Sequence, residues 1–467
     1  MEQPIKNKKT IKTTIIIYCI ICIIVLYKHI NVLADSYVNV SLYDCLQIAL
    51  QNNISIKIAF EEVNGALSNV KITKGSNNIQ VNGELRTIEI LKSDTANSSF
   101  NVPGKDTLIG LFIGASASYK LYDANKSNYE QLKFLEYNLA ILSALKIKNN
   151  VIRDVKITYY KLLLAKKKSE LLEKLVKSFE IKYLNAEQLF TSGQRTLVDV
   201  SKAQVDLTNA RLKYERAQND VSKIKSTLVS LMGLPSDGFD IDTAGFDINN
   251  VVRDIPYNYD ELLQIALLYS FDIKSTEINQ QIAKTQINIE KDKRFPQLNV
   301  IASLGYENRE IQNGSFSESM SDRDNWKPTF HAGVSANFPI YTSGVVSSSI
   351  DRAMISYNKA IYNAKTVTDS ITSNIKSYYT TINDIKIQLD IARQLVDNAK
   401  KYLDLVQKNY DIGIITQNEL QDAELNYIQA NIDYMQIITD YYVNFHYLIS
   451  LLCIDENTLF SKGAALK

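Results

Sequence analysis

Two stretches of the chain space their apolar positions three, four, three, four without a break. Val200, Ala203, Leu207, Ala210, Tyr214, Ala217, Val221, Ile224, Leu228 and Leu231 form the first, and Leu420, Ala423, Tyr427, Ala430, Tyr434, Ile437, Tyr441, Asn444, Leu448 and Leu451 the second. A 3.5-residue repeat held over four heptads predicts helices that pair by knobs into holes, with small residues letting the backbones approach at every second layer. Elsewhere the period is two, which predicts strands. Val300, Ala302, Leu304 and Tyr306 alternate with smaller or polar neighbours, as do Phe330, Ala332, Val334, Ala336 and Phe338, and Leu111, Ile113, Ala115, Ala117 and Tyr119. A fourth strand, Ile79 to Ile88, is more polar. One apolar face and one small, polar face suits either a half-buried soluble sheet or a wall with lipid outside and water inside. Alternation alone does not choose between them.

The predicted elements recur. Gln47-Ile48-Ala49-Leu50 returns as Gln264-Ile265-Ala266-Leu267, and Gln80 and Asn82 as Gln297 and Asn299. Gly193, Thr196, Asp199, Ala203, Ala210 and Tyr214 return in order as Gly413, Thr416, Glu419, Ala423, Ala430 and Tyr434. The period exceeds that of any solenoid unit and implies a doubled domain, with a first repeat over 35–253 and a second over 254–467. Each repeat reads as helix, strand, loop, strand, long helix, turn, long helix. The expected loops, 89–109 and 307–329, are rich in Ser, Asn, Asp and Gly, and the second holds Trp326, the chain's one tryptophan.

Helix length is the next constraint. Residues 125–190 contain no Gly or Pro, so one helix extends to ~100 Å at 1.5 Å per residue, with a partner over 194–232 of ~58 Å. Gly193 and Gly413 punctuate these helices as C′ residues, with Thr196 and Thr416 as N-caps and Asp199 and Glu419 three positions on, in a capping-box pattern where Asp replaces the usual Glu. Such a tip on a long hairpin is also where a partner docks and a pore narrows.

Composition adds three constraints. The 467 residues are 45% hydrophobic with 52 basic and 51 acidic side chains, enough for a large core and too balanced for a nucleic-acid binder. Lys6, Lys8, Lys9 and Lys12 precede an apolar run from Ile15 to Tyr27, and Val32-Leu33-Ala34 follows with small residues at the cleavage positions. That order is a secretory signal over 1–34, whose removal leaves a mature chain of net charge −3 from 47 basic and 50 acidic residues. Cys19 and Cys22 lie in the signal and lack a lipobox; Cys45 and Cys453 read as small apolar side chains or as a disulfide joining first helix to last.

Catalytic constellations are missing from the sequence. The mature histidines are His331 and His446, far apart and without metal-ligand spacing, and no HExxH, GxSxG or Walker A pattern occurs. Neither enzyme activity, nor a cofactor, nor a metal is expected. The classes left are a channel and an exported coiled-coil scaffold without a pore.

Four motifs in order then carry a resemblance: Leu42-Tyr-Asp-Cys-Leu-Gln-Ile-Ala-Leu50-Gln-Asn-Asn53, Phe295-Pro296-Gln297-Leu298, Phe338-Pro-Ile-Tyr-Thr-Ser-Gly344, and Tyr410-x-x-Gly413-x-x-Thr416-x-x-Glu419-Leu420. With the duplication, the chain resembles the TolC-like outer-membrane efflux proteins over essentially all of 40–455. The resemblance implies a mainly α fold with membrane β-structure: a homotrimer in which each subunit gives four strands to a twelve-stranded barrel in outer-membrane lipid and its long helices to a tunnel below. It implies a channel for efflux or type I secretion, with a periplasmic adaptor (membrane fusion) protein and an inner-membrane transporter docking at the tips around Gly193, Thr196, Gly413 and Thr416. In that family acidic side chains ring the narrow end, and Glu419 and Asp422 stand at the matching positions. The family's Arg after the second tip glycine is Ile415 here, while Arg195 holds the equivalent place in the first repeat. A swapped latch follows as an expectation, with Arg195 pairing Glu419 or Asp422 and Asp199 beside it in the gate.

Overall fold

The computed structural model describes residues 38–91, 107–235, 238–241, 254–311, 323–454 and 456–460. The signal-like segment 1–34 lies outside these. In chain order the elements are β1 (Val38–Val40), α1 (Leu42–Asn52), α2 (Ile54–Ser76), β2 (Gln80–Leu91), β3 (Thr107–Asp123), α3 (Lys126–Thr191), α4 (Leu197–Met232), β4 (Phe239–Ile241), α5 (Tyr259–Tyr269), α6 (Phe271–Asp292), β5 (Gln297–Ile311), β6 (Trp326–Asn337), α7 (Val345–Asp411), α8 (Gln417–Leu452) and α9 (Glu456–Phe460). The lengths recur: α3 and α7 have 66 and 67 residues, and α4 and α8 have 36 each.

The single opening helix expected in each repeat is two helices. Asn53 and Ser270 take extended backbone at the breaks. Asn53 is buried there, its Nδ2 donating to the Leu231 carbonyl at 2.7 Å while its Oδ1 accepts from the Ile56 N–H. Capping boxes start both short helices, from Ser41 with Asp44 and from Asn258 with Glu261.

The described residues form two compact units, each assembled from pieces of both expected repeats. The first unit comprises the described residues of 38–58, 146–270 and 370–460. Its core is built along the helical seams. Leu172, Leu175 and Phe179 of α3 bury against Leu207, Ala210 and Ala217 of α4, with Leu425, Ile428 and Ile432 of α8 packed on the same cluster. Val406 of α7 meets Leu420 and Ala423 of α8, joined by Leu403, Tyr410 and Ile415. The expected register holds along α4 to Leu228; its last step falls on Met232, which is buried, rather than Leu231. On α8 it holds to Tyr434, and Tyr441 and Leu448 further on are buried as expected, while the alternate layers move on by one residue. Ile438, Phe445 and Leu452 are buried where Ile437, Asn444 and Leu451 were expected. Each expected position has an apolar neighbour one residue on, and α8 turns that neighbour inward because its upper half packs on α3 as well, with Tyr160 stacked on Tyr442 at 3.7 Å.

Two further features belong to this unit. Val38–Val40 and Phe239–Ile241 form a parallel two-stranded sheet, too short to show a period. Cys45 and Cys453 are free thiols, so the disulfide is not formed. Cys453 caps α8 in the left-handed region at φ 53°, and burial pushes the Cys45 thiol up to about 12.

The second unit comprises the described residues of 59–145 and 271–369 and holds an antiparallel sheet of order β2-β3-β5-β6. Its strands run further than the alternation predicted, β2 to Leu91, β3 from Thr107 and β5 to Ile311, because cross-strand pairing continues to those residues. The loops are correspondingly shorter, and 92–106 and 312–322 lie outside the described residues. Trp326 opens β6 opposite Asn308 instead of sitting in a loop.

Directly paired residues share a face of an antiparallel sheet. Gly83, Ala115, Leu304 and Phe330 lie in one row, and Asn82, Ser116, Ser303 and His331 in the next. The apolar rows are exposed: Leu85 is 70%, Leu304 64% and Phe330 68% accessible. On the polar face Phe112 is buried with Arg86 over its ring at 5.3 Å. Gly114 and Gly305 pair beneath that ring, where a Cβ on either would come within 2.8 Å of Phe112 Cζ. A soluble half-buried sheet would hide its apolar rows; this one presents them.

Candidate functional site

The candidate site is the pair of helical tips that Gly193 and Gly413 create. Both glycines are left-handed, at φ 73° and 77°. At the first tip the Gly193 N–H donates to the Phe190 carbonyl at 2.9 Å and the Gln194 N–H to Leu189 at 2.8 Å. At the second, Gly413 donates to Tyr410 and Ile414 to Asn409, each at 2.9 Å. These are Schellman turns, which satisfy carbonyls that a helix end would leave unpaired.

The next helix starts three residues on. The Thr196 N–H donates to the Asp199 carboxylate at 3.1 Å and the Asp199 N–H returns to Thr196 Oγ1 at 3.4 Å. Thr416 and Glu419 repeat this at 2.9 and 3.4 Å. Both boxes therefore close, and Asp at 199 serves as well as Glu. The Thr196 backbone N–H holds the Asp199 carboxyl below the usual range, assisted by the Thr196 hydroxyl and the nearby Arg195 charge.

Among the described residues Arg195 makes no ion pair with Glu419 or Asp422, and its charge acts on Asp199 instead. Glu419 spends its carboxylate on the cap. Asp422, one turn further along α8, is exposed. A cross-hairpin connection does exist, though at residues that sequence reasoning passed over. Lys182 Nζ donates to Glu424 Oε2 at 2.7 Å and Ser178 Oγ donates to the same oxygen at 2.8 Å. The signal for it was a Lys at the edge of the α3 seam and a Glu directly after the buried Ala423.

The model of the family described as "Outer membrane efflux protein" matches residues 45–234 and 262–452, one segment in each repeat. The chain belongs to the outer membrane efflux protein family. Among relatives, "Outer membrane protein TolC" of Escherichia coli (strain K12) is 22% identical over 265 residues, 55% of this chain and 52% of TolC. TolC of Vibrio cholerae is 21% identical over 283 residues, 60% of this chain and 63% of that protein. The chain thus spans about half the length of the first of these relatives. The crystal structure of the Campylobacter jejuni CmeC outer membrane channel superposes with a TM-score of 0.74 at 18% identity, covering 88% of this chain and 85% of CmeC.

Family membership places the chain among outer-membrane proteins, and the likeness to CmeC establishes a channel-tunnel fold. Among the described residues no helix is long and apolar enough to cross a membrane.

Proposed function

We propose that the chain is the outer-membrane channel-tunnel of a tripartite efflux or type I secretion system, passively conducting substrates handed over by an inner-membrane transporter and a periplasmic adaptor. The observation that carries this reading is the exposed apolar face of β2-β3-β5-β6, which lipid would cover. A pore-free coiled-coil rod has no use for such a face.

The same reading calls for a homotrimer. Four strands do not close a barrel, and β2 and β6 each have one side without a partner strand among the described residues. Three copies joined β6 to β2 give a closed ring through a repeated head-to-tail interface. The helices supply matching edges. Val198, Val205 and Leu212 form an exposed heptad stripe on α4, and Ile391, Leu395, Tyr402 and Leu405 an exposed stripe on α7. Each stripe is a second seam beyond the one its own hairpin buries, as knobs-into-holes neighbours require. In the trimer the Asp422 carboxylates, with Glu419 beside them, ring the narrow end and favour cations; Arg195 and Asp199 line the other tip of the same constriction.

The test is reconstitution of the mature chain in planar bilayers, together with electrophoresis of unheated and heated detergent extracts. Discrete conductance from a heat-sensitive trimer is the expected result, and Asp422→Asn lowers its cation preference. A water-soluble, non-conducting monomer would overturn the reading.

A further inference from the structure

Along one side of the α3, α4 and α8 bundle run two adjoining clefts of ≈ 330 Å³ each. They share Lys168, Ala217, Asp220 and Ile432, so they form one trough. Its floor is apolar, from Leu164, Leu172, Leu175, Ala217 and Ile432. Its rim is cationic: Lys161, Lys168 and Lys223 border the first cleft, and Lys168, Lys213 and Arg216 the second, against the single carboxylate of Asp220. None of these five cations belongs to an ion pair among the described residues, although α3 and α4 pair other cations, such as Lys177 with Glu173 and Arg211 with Glu180. The trough therefore carries a net excess of positive charge.

The trough also has a definite position relative to the proposed pore. Gln429 and Gln436 line it, and they follow Asp422 at heptad spacing, on the same face of α8. If Asp422 faces the pore, the trough faces it too, further along the helices from the tips. This placement rests on the channel reading; the chemistry of the trough does not.

We propose that the trough is a binding site for amphipathic organic anions, such as medium-chain carboxylates or sulfonates, whose tail lies on the apolar floor and whose head group meets the cationic rim. Excess positive charge over an apolar floor selects a ligand carrying the opposite charge and an apolar body. Cleft volume argues for a small molecule over a docked helix, because each cleft is at the lower end of the range for small-ligand pockets and a helix is about 10 Å across. In the trimer, three such sites would hold anionic cargo above the acidic ring and raise its local concentration there.

The experiment uses the whole mature chain, in planar bilayers and separately in lipid nanodiscs. Decanoate is expected to block single-channel current reversibly. Acetate, which lacks the tail, and decyltrimethylammonium, which carries the opposite charge, are not. Lys168→Gln combined with Arg216→Gln weakens the decanoate block about tenfold, the loss of about 1.4 kcal/mol, measured relative to the variant's own unblocked current. In nanodiscs, anilinonaphthalene sulfonate gains fluorescence on the wild type relative to the double variant. Equal block by decyltrimethylammonium, or a variant that binds and is blocked like the wild type, overturns the site. So does stronger displacement of the probe by an acidic amphipathic peptide than by decanoate, which would make the trough a protein-docking surface. Variant-sensitive probe binding without any conductance overturns the channel and keeps the site; conductance without variant-sensitive binding does the reverse.

Discussion

Lys182 of α3 and Glu424 of α8 join the two hairpins through a 2.7 Å ion pair, with side chains only 10% and 24% accessible. Lys182 lies nine residues before the end of α3 at Thr191 and Glu424 eight residues after the cap Thr416, so the pair sets both tips at the same level. The Lys182 ammonium also sits 5.0 Å from the Phe179 ring centroid.

Breaking this pair from one side leaves a poorly solvated charge. Glu424→Gln is expected to destabilise the hairpin pair by about 2 kcal/mol, between the values for exposed and fully buried pairs. In bilayers it should raise the open fraction, and the charge swap Lys182→Glu with Glu424→Lys should restore much of both. Urea titration together with single-channel recording checks this. An unaltered unfolding midpoint and gating pattern in Glu424→Gln would remove the pair from any role in holding the tips.

The tip glycines owe their identity to backbone conformation alone. A Cβ at Gly193 or Gly413 meets nothing within 4 Å, so Gly193→Ala should cost only about 1 kcal/mol of left-handed strain. Gly233→Ala should cost clearly more, since its φ is 66° and a Cβ there would lie 2.7 Å from the Asn52 carbonyl oxygen. Thr196→Ala should cost about 1 kcal/mol by opening the cap. Amide hydrogen exchange around 189–199 and 229–234 separates these cases; comparable losses at Gly193 and Gly233 would contradict the geometry.

How far the sequence could be read depended on how many chain positions fit a pattern. The α4 seam was legible because Ala203, Ala210 and Ala217 alternate with larger residues and exposed polar residues flank them. Along α8, Ile437-Ile438 and Leu451-Leu452 are apolar doublets, so two seams that share Tyr441 and Leu448 and differ in the alternate layers fit equally well. Asn444 marked the correct one, because its Nδ2 donates to the Asp440 carbonyl while its neighbour Phe445 is buried. Both Schellman-capped tips followed from Gly, Thr and an acid at fixed spacing. The Lys182–Glu424 bond and the cationic trough did not, since each depends on α3 meeting α8, residues more than two hundred positions apart. Burial of Glu307 and Asn308 at the far end of β5 likewise ran against residue type.

Stability should depend on acidity through one residue in particular. His446 is buried, its ring stacked near those of Tyr160 and Tyr442, and its Nε2 has no hydrogen-bond partner. Burial, aided by the Lys156 charge, lowers its pKa to about 3. Between about 3 and the unfolded value of 6.5 the unfolded chain binds a proton that the folded chain refuses. Stability is therefore fully present above that upper value and falls as pH drops through the window, by at most about 1.4 kcal/mol per unit. His446→Phe should flatten this part of the profile. Urea midpoints measured from pH 7 to pH 4 give the slope, and an identical slope in the variant would assign the dependence elsewhere.

Neighbouring residues on β6 provide the sharpest test of which side meets lipid. Phe330 pairs with Leu304 on the apolar face and His331 with Ser303 on the polar face, so a single step along the strand crosses the wall. Arginine at a lipid-facing barrel position costs about 2–4 kcal/mol near the bilayer midplane and little near its edges, whereas lumen positions tolerate charge. Phe330→Arg should therefore impair folding into vesicles, and His331→Arg should fold normally while shifting ion selectivity toward anions. Refolding yield into lipid vesicles, followed by conductance of the inserted fraction, reads both effects. If the two variants exchanged phenotypes, the exposed apolar rows would face something other than lipid, and the barrel would have to be built the other way out.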